Sequence, residues 1–371
     1  MTTASPIRAP WRAATRALRK SLRNGAVTLA ESLASPLVPA DYLDMVSPLR
    51  RGAELSGRIV AVRPETADAA TVAIRPGRDW RGHVPGQYVR VGVEVDGVRR
   101  WRAYSLTSPV DSPDGCIGIT VKAVPGGVVS NHLVHHARQG TVLRLEQACG
   151  EFTLPERHPA KVLFVTAGSG ITPVMGMLRN QAAGLEDVVL VHSAPTAADV
   201  IFGAELRRLA SDGQVRLAEV HSDAEGPLDA ARLAELVPDL AERETWACGP
   251  AGLLDTVAEH LATTGAAAPL HTERFRAATV VTGAGGRVSF ARSGATVDAD
   301  GTTPLLEAGE AAGVLMPSGC RMGVCFGCVA PLRQGAVRDL RSGDLTTAVA
   351  GDGVLIQTCV SAATGACDID L

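Results

Sequence analysis

Between residues 51 and 155, apolar residues recur at every second position in short runs: SGRIVAVRPET, ATVAIRP, GQYVRVGVEVDG, CIGITVKAV and TVLRLEQACGEFTL. Turn-forming residues separate them. A period of two turns one face of each run into a core, and several such strands at close spacing predict an antiparallel barrel. At residue 160 the pattern changes. KVLFVTAGSGITPVMGML is an apolar run, then a Gly-rich turn, then a helix that can take Thr172 as N-cap and Pro173 at its first position. The strand DVVLVHSA follows that helix, and TWACGP closes a third strand before the helical stretch GLLDTVAEHLATTG. Apolar strands alternating with helices predict a parallel sheet covered on both faces, with ligands at the carboxyl ends of its strands. Beyond residue 276, AATVVTGAGGRVSFARSGATVDADGTTPLLEAGEAAGV reads as a hairpin and a short helix, and a cysteine-rich loop comes next.

Composition bounds the class. A length of 371 residues suits two or three cores of roughly 100 to 150 residues each. Apolar residues make up 46% and charged residues 20%, as in a globular protein. No window reaches the roughly 18 uncharged apolar residues of a membrane-spanning helix, and the N-terminus lacks a signal-peptide apolar core, so a cytoplasmic location is expected. A formal net charge of -3 argues against a general nucleic-acid binder.

Eight cysteines in a chain of this length do not suggest a secreted disulfide framework. Cys320, Cys325 and Cys328 give C-x4-C-x2-C in PSGCRMGVCFGC, and Cys359 follows in QTCV. That is the spacing of a plant-type [2Fe-2S] ferredoxin, whose loop wraps three thiolates around the cluster while a distant strand supplies the fourth. Structural zinc would want a second short knuckle or histidines, which this segment lacks. Gly319, Gly323 and Gly327 suit a loop whose backbone N–H groups turn toward sulfur. Of Cys116, Cys149, Cys248 and Cys367, three are expected to be small buried apolar residues.

A one-electron cluster needs a donor. RAYSLTS at 102–108 and VKAVPGGVVSNHL from Val121 lie inside the barrel segment, and together they resemble the ferredoxin-NADP reductase superfamily, with its R-x-Y-[ST] and later G-x-x-S flavin motifs. The chemistry agrees: Arg102 can neutralise a pyrophosphate, Tyr104 can lie on an isoalloxazine ring, and Ser105 can hydrogen-bond near its reactive N5 edge. Gly127 and Ser130 would open a helix facing the phosphates. The resemblance adds Lys122 to this flavin set, and the S-N-H-L form of the second motif implies FAD rather than FMN. It places NAD(P)H along Gly168, Ser169, Gly170, Thr172 and Pro173 at the pyrophosphate, and along Cys248, Gly249 and Pro250 at the nicotinamide. HTERF resembles the close of the reductase module, bringing Glu273 and Phe275 to the flavin. Ser105, Cys248 and Glu273 are thus the expected catalytic set.

The implied order is a basic N-terminal extension (1–50), a FAD-binding β-barrel (51–157), an α/β NAD(P)-binding domain (158–276) and an α+β, β-grasp ferredoxin domain (283–371), with residues 276–286 as a hinge. Hydride arrives as an electron pair and the cluster takes electrons singly, so the chain reads as a two-to-one electron transformer. The module order and loop text most resemble actinobacterial NADPH-dependent reductases that serve membrane di-iron acyl-CoA desaturases. Reductases of aromatic-ring or alkane oxygenases share the modules, and an electron carrier or redox sensor with a decayed flavin site is the reading from another class. Preference for NADPH over NADH follows from resemblance alone, since HSAPTAADV offers Ser193 and Thr196 but no arginine. In the extension, Arg8, Arg12, Arg16, Arg19, Lys20 and Arg23 alternate with Trp11, Leu18 and Leu22 before any acidic residue. A basic amphipathic helix over residues 1–25 would touch an anionic membrane face or pack against the barrel.

Overall fold

Alternation in YVRVGVEV translates directly into structure. Val89, Val91 and Val93 on β3 (Tyr88–Val95) are buried in the first core, so Tyr88, Arg90 and Gly92 take the opposite face. The Asp96-Gly97 pair after it, both at positive φ, makes the tight turn into β4 (Val98–Ser105). With β1 (Ser56–Thr66), β2 (Ala69–Pro76), β5 (Ile117–Lys122) and β6 (Val142–Leu145), these strands form a six-stranded antiparallel sheet in the order β4-β3-β6-β1-β2-β5. A Leu106–Ile119 bridge and the Thr107 N–H to Gly118 carbonyl bond, 2.8 Å, join its two edges into the expected barrel. This computed structural model describes residues 43–44, 46–265, 268–275, 282–323 and 325–371. The basic stretch 1–25 and residues 276–281 of the expected hinge lie outside them.

The second sheet is parallel, in the order β11-β10-β7-β8-β9, from β7 (Lys161–Ala167), β8 (Asp187–Ala194), β9 (Arg216–His221), β10 (Glu244–Cys248) and β11 (Leu270–Glu273). Val162 and Phe164 of β7 pack with helices Ile171–Gln181 and Gly203–Ser211, while Leu163 and Val165 pack with Ala230–Leu236 and Ala251–Thr264. A strand buried on both faces shows an unbroken apolar run rather than alternation. Two strands have weaker sequence signals because they are edges: RLAEVH begins half-exposed, and LHTE is short and polar. The helix after β7 starts differently from expectation. Gly170, not Thr172, is its N-cap, after a 3-10 turn over Gly168–Gly170. Thr172 instead donates its hydroxyl to the Ser169 carbonyl at 2.9 Å, and Pro173 falls third, where its missing N–H is still harmless.

The third sheet is mixed, in the order β13-β12-β17-β14-β15, with β16 also paired to β14. It comprises β12 (Gly286–Phe290), β13 (Ala295–Ala299), β14 (Val329–Asp339), β15 (Leu345–Ala348), β16 (Val354–Gln357) and β17 (Ser361–Ile369). β12 and β17 run parallel. The helix Leu305–Ala311 buries Leu305 and Leu306 against Phe290, Val360 and Ile369.

Backbone polar groups bind the first two modules together: Trp246 donates to the Thr153 carbonyl at 3.2 Å and Arg179 to the Thr107 carbonyl at 2.6 Å. The third module meets the barrel through Arg100 and Glu310, 3.8 Å apart, with Glu310 also paired to Arg321 of the cysteine loop.

Candidate functional site

The carboxyl end of β4 carries the first motif. Arg102 donates to the Trp101 carbonyl at 2.7 Å, and burial together with neighbouring Arg321 pulls its pKa down to about 10. A buried guanidinium short of counter-charge suits a phosphate ligand. Burial pushes the Tyr104 hydroxyl up. Ser105 is 3% exposed, and among the described residues its Oγ has no hydrogen-bond partner; Oε2 of Glu273 is likewise buried and without a hydrogen bond among them. Orphaned polar atoms of this kind are rare, and a polar ring edge between them would satisfy both. Tyr88, Ala103, Ser105, Glu273, Phe275, Cys320 and Met322 surround one small cavity of about 30 Å³. One wall therefore belongs to the flavin motifs and the other to the cysteine loop.

Beside it, Val128–Asn131 is a single helical turn with Gly127 as N-cap, and Ser130 Oγ donates to the Gly127 carbonyl at 3.2 Å. Asn131 Nδ2 ties the same loop down through the Val124 carbonyl at 2.8 Å. Lys122, ion-paired to Asp68 at 2.7 Å, marks the rim of a far larger cleft.

That cleft, about 1050 Å³, opens at the carboxyl ends of β7, β8 and β10. Gly168, Ser169, Gly170, Gly249, Pro250 and Phe275 line it, as do Ser193, Ser222, Asp229 and Arg274. A Cβ on Gly170 would run into the Cys248 carbonyl, so only glycine lets the turn close on the end of β10. Thr172 and Pro173 are buried beneath the turn and do not line the cleft. Cys248 is buried as well; desolvation, then Glu273, holds its thiol neutral.

Glu273 pairs in register with Cys248, and burial raises its pKa from 4.5 to about 8. The folded chain therefore keeps a proton that the unfolded chain releases, and stability falls as pH rises from about 4.5 to about 8. Glu273→Gln, which keeps the shape and cannot ionise, should flatten that part of the melting-temperature profile. Equal slopes for both proteins across the window would assign the titration elsewhere.

The cysteine loop turns sharply, with Arg321, Gly323 and Phe326 all at positive φ. Its backbone aims at sulfur: Cys320 N–H lies 3.1 Å and Gly327 N–H 3.4 Å from Cys325 Sγ, and Met322 N–H lies 3.3 Å from Cys320 Sγ. Cys359 sits in the turn between β16 and β17, not within a strand as expected, and Thr358 Oγ1 fastens that turn to the Cys328 carbonyl at 2.9 Å. The thiols come in pairs. Contact with Cys320 raises Cys325, while contact with Cys359 lowers Cys328 to about 6 and raises Cys359. Among the described residues, no three His, Cys, Asp or Glu side chains gather closely enough for a single metal ion. Two pairs of thiols backed by N–H donors fit a binuclear centre instead. Cys116 and Cys367 are buried and Cys149 is exposed, so with Cys248 three of the four remaining cysteines are buried.

Sequence reasoning overlooked Tyr88 and Arg90, which face the cysteine loop from β3. The signal was present, since both are half-buried polar interruptions of an apolar strand.

Family models match along the chain in the same order: an oxidoreductase FAD-binding domain at 70–154, an oxidoreductase NAD-binding domain at 164–259 and a 2Fe-2S iron-sulfur cluster binding domain at 289–364. Over 350 residues the chain is 49% identical to an NADPH oxidoreductase of Mycobacterium tuberculosis, covering 92% of this chain and 91% of the relative. It is 30% identical over 308 residues to a glycine betaine monooxygenase reductase subunit of Pseudomonas aeruginosa, covering 74% and 84%. Among solved structures, phthalate dioxygenase reductase superposes with a TM-score of 0.59 at 24% identity, covering 85% of this chain and 97% of that one. Fold and modules together define an NAD(P)H-dependent oxidoreductase that uses FAD and a [2Fe-2S] cluster. The chain belongs to the ferredoxin-NADP reductase-like family whose members carry a ferredoxin domain, here at the C-terminus.

Proposed function

We propose that this reductase takes hydride from NADPH and delivers single electrons to a di-iron oxygenase, most specifically a membrane-bound acyl-CoA desaturase. Bound FAD and [2Fe-2S] supply the redox chemistry, accepting an electron pair and releasing it singly. The residues do the rest. Arg102 clamps the flavin pyrophosphate with the Gly127–Ser130 turn and Lys122 nearby. Tyr104 would stack on the ring, and Phe275, beside Ser105 and Glu273, would meet it from the same cavity. Ser105 and Glu273 hold the reacting edge, where Glu273 is poised to keep or pass a proton near neutral pH. Gly168, Ser169 and Gly170 take the dinucleotide phosphates, with Thr172 and Pro173 bracing that turn from below, while Gly249 and Pro250 take the nicotinamide end with Cys248 buried behind them. Cys320, Cys325, Cys328 and Cys359 ligate the cluster.

The observation that carries this reading is the shared cavity, with Ser105, Glu273 and Phe275 on one wall and Cys320 and Met322 on the other. Electron transfer needs that proximity, and no separate carrier has to intervene. The desaturase rests on the resemblance in module order and loop text, and on the basic stretch 1–25 as a membrane tether. An oxygenase other than a desaturase is favoured by the relative that is a glycine betaine monooxygenase reductase subunit. Reconstitution decides. With NADPH, the full chain should drive acyl-CoA desaturation in vesicles holding a desaturase, and deletion of residues 1–25 should lower that turnover while sparing ferricyanide reduction. Turnover only with a soluble oxygenase component would replace the desaturase reading.

A further inference from the structure

One guanidinium beside the Cys320 and Cys325 thiols does not belong to the ferredoxin module. Arg90 rises from β3 of the barrel, and its side chain is 12% exposed. Nη1 donates to both oxygens of Glu146, at 2.7 and 2.8 Å, and the guanidinium carbon lies 5.4 Å from the Trp101 ring centroid. These contacts aim the other end of the fork at the cysteine loop. A Cβ built on Gly319 would stand 2.7 Å from Arg90 Nη2 and would collide with Cys325 Sγ. One built on Gly327 would stand 3.0 Å from Nη2 and 3.5 Å from the same sulfur. Two glycines thus let the barrel's cation and the loop's thiol share one contact surface. Arg90 Nε, also buried, has no hydrogen-bond partner among the described residues.

The other pair of thiols has its own cation. Arg341 donates to the Gly323 carbonyl at 2.9 Å, and its charge acts on Cys359 and Cys328. Arg341 is gripped by Asp339 of the same module, through Nε at 3.1 Å and Nη2 at 2.7 Å, and travels with the cluster. Arg90 does not. Its counter-ion Glu146 is 44% exposed, so water screens the carboxylate more than it screens the buried guanidinium.

Resting on the cluster assignment above, we infer that Arg90 is a positioning residue that raises the reduction potential of the [2Fe-2S] centre from across the domain boundary. One electron added to that centre, with no proton, makes it one unit more negative. A guanidinium set against one ligand sulfur in a partly dry interface favours the reduced form. Downhill transfer from the flavin is thereby tied to docking of the two modules, because the cation lies on the donor's side of the boundary.

The test is a redox titration of holoprotein, reading cluster and flavin signals separately in the visible and electron-paramagnetic-resonance spectra. Arg90→Gln should lower the equilibrium constant for cluster reduction about tenfold, which for one electron is about 59 mV. Glu146→Gln, which unmasks the cation, should move it in the opposite direction. Arg90→Lys keeps the charge and should restore most of the wild-type value, which covers the case in which Arg90→Gln fails to load iron. A loaded cluster whose potential ignores Arg90→Gln overturns the inference. So do shifts of the same sign in Arg90→Gln and Glu146→Gln, which would mark a contact that only holds the loop in shape. Absence of a cluster from the wild type would instead defeat the proposed function.

Discussion

Cys328→Ser should leave NAD(P)H oxidation by ferricyanide within about twofold of wild type and cut reduction of a one-electron protein acceptor by about 100-fold or more, beyond the loss expected from a merely supporting residue. Hydride transfer requires only the barrel and the parallel-sheet domain, and neither core contains Cys328. The thiol is 1% exposed, packs in the core of the third module, and faces Cys359 across the turn that Thr358 fastens. Serine is isosteric enough to keep that core and too hard a ligand to hold iron as thiolate does. Iron and acid-labile sulfide should therefore fall together with the protein-acceptor rate. Full iron content in the variant would refute the ligand assignment. Equal loss of both activities would show that the cluster holds the flavin module together rather than following it in a chain.

A second large effect is expected at the turn after β7, where two glycines have different physical jobs. Gly168 adopts φ +53 with open space where a side chain would go, so Gly168→Ala meets only the left-handed backbone penalty, about 1 kcal/mol. Gly170 has ordinary helical backbone angles, but its Cβ would collide with the Cys248 carbonyl and lie 2.9 Å from the Gly249 nitrogen. Those are main-chain atoms of the neighbouring strand end and cannot swing aside. Gly170→Ala should cost about 3 kcal/mol, the upper end of the overpacking range, and raise KM for NAD(P)H about tenfold by pushing the turn off β10. Melting curves and initial rates measure both. A larger penalty at Gly168 than at Gly170 would mean that backbone strain, not close approach, shapes the cleft.

Local signals were legible wherever the physics is local. SGRIVAVRPET matches β1 from Ser56 to Thr66, and DVVLVHSA matches β8 from Asp187 to Ala194, because pleat and burial impose their period on the residues themselves. The helix at GLLDTVAEHLATTG was equally readable. Harder were β9 and β11, edge strands whose pairing partners lie far away in sequence. The start of the helix after β7 was misjudged because Thr-Pro is a good capping text, and only the close approach of Gly170 to Cys248 shows that the turn lies two residues earlier.

By itself the sequence determined the three modules, their order and the residue types that could serve each cofactor, since strand period, Gly-rich turns and cysteine spacing are short-range properties. Which cysteines face each other, 320 with 325 and 328 with 359, was decided by the tertiary fold through the left-handed turns of the loop and the fastening of Cys359 by Thr358. The fold also decided that Ser105 and Glu273 share a cavity with Cys320, and that Arg90 stands against Cys325. Period two tells which way Tyr88 and Arg90 point, but what lies opposite them depends on docking through Arg100 and Glu310, a contact between residues some two hundred positions apart that no local pattern encodes.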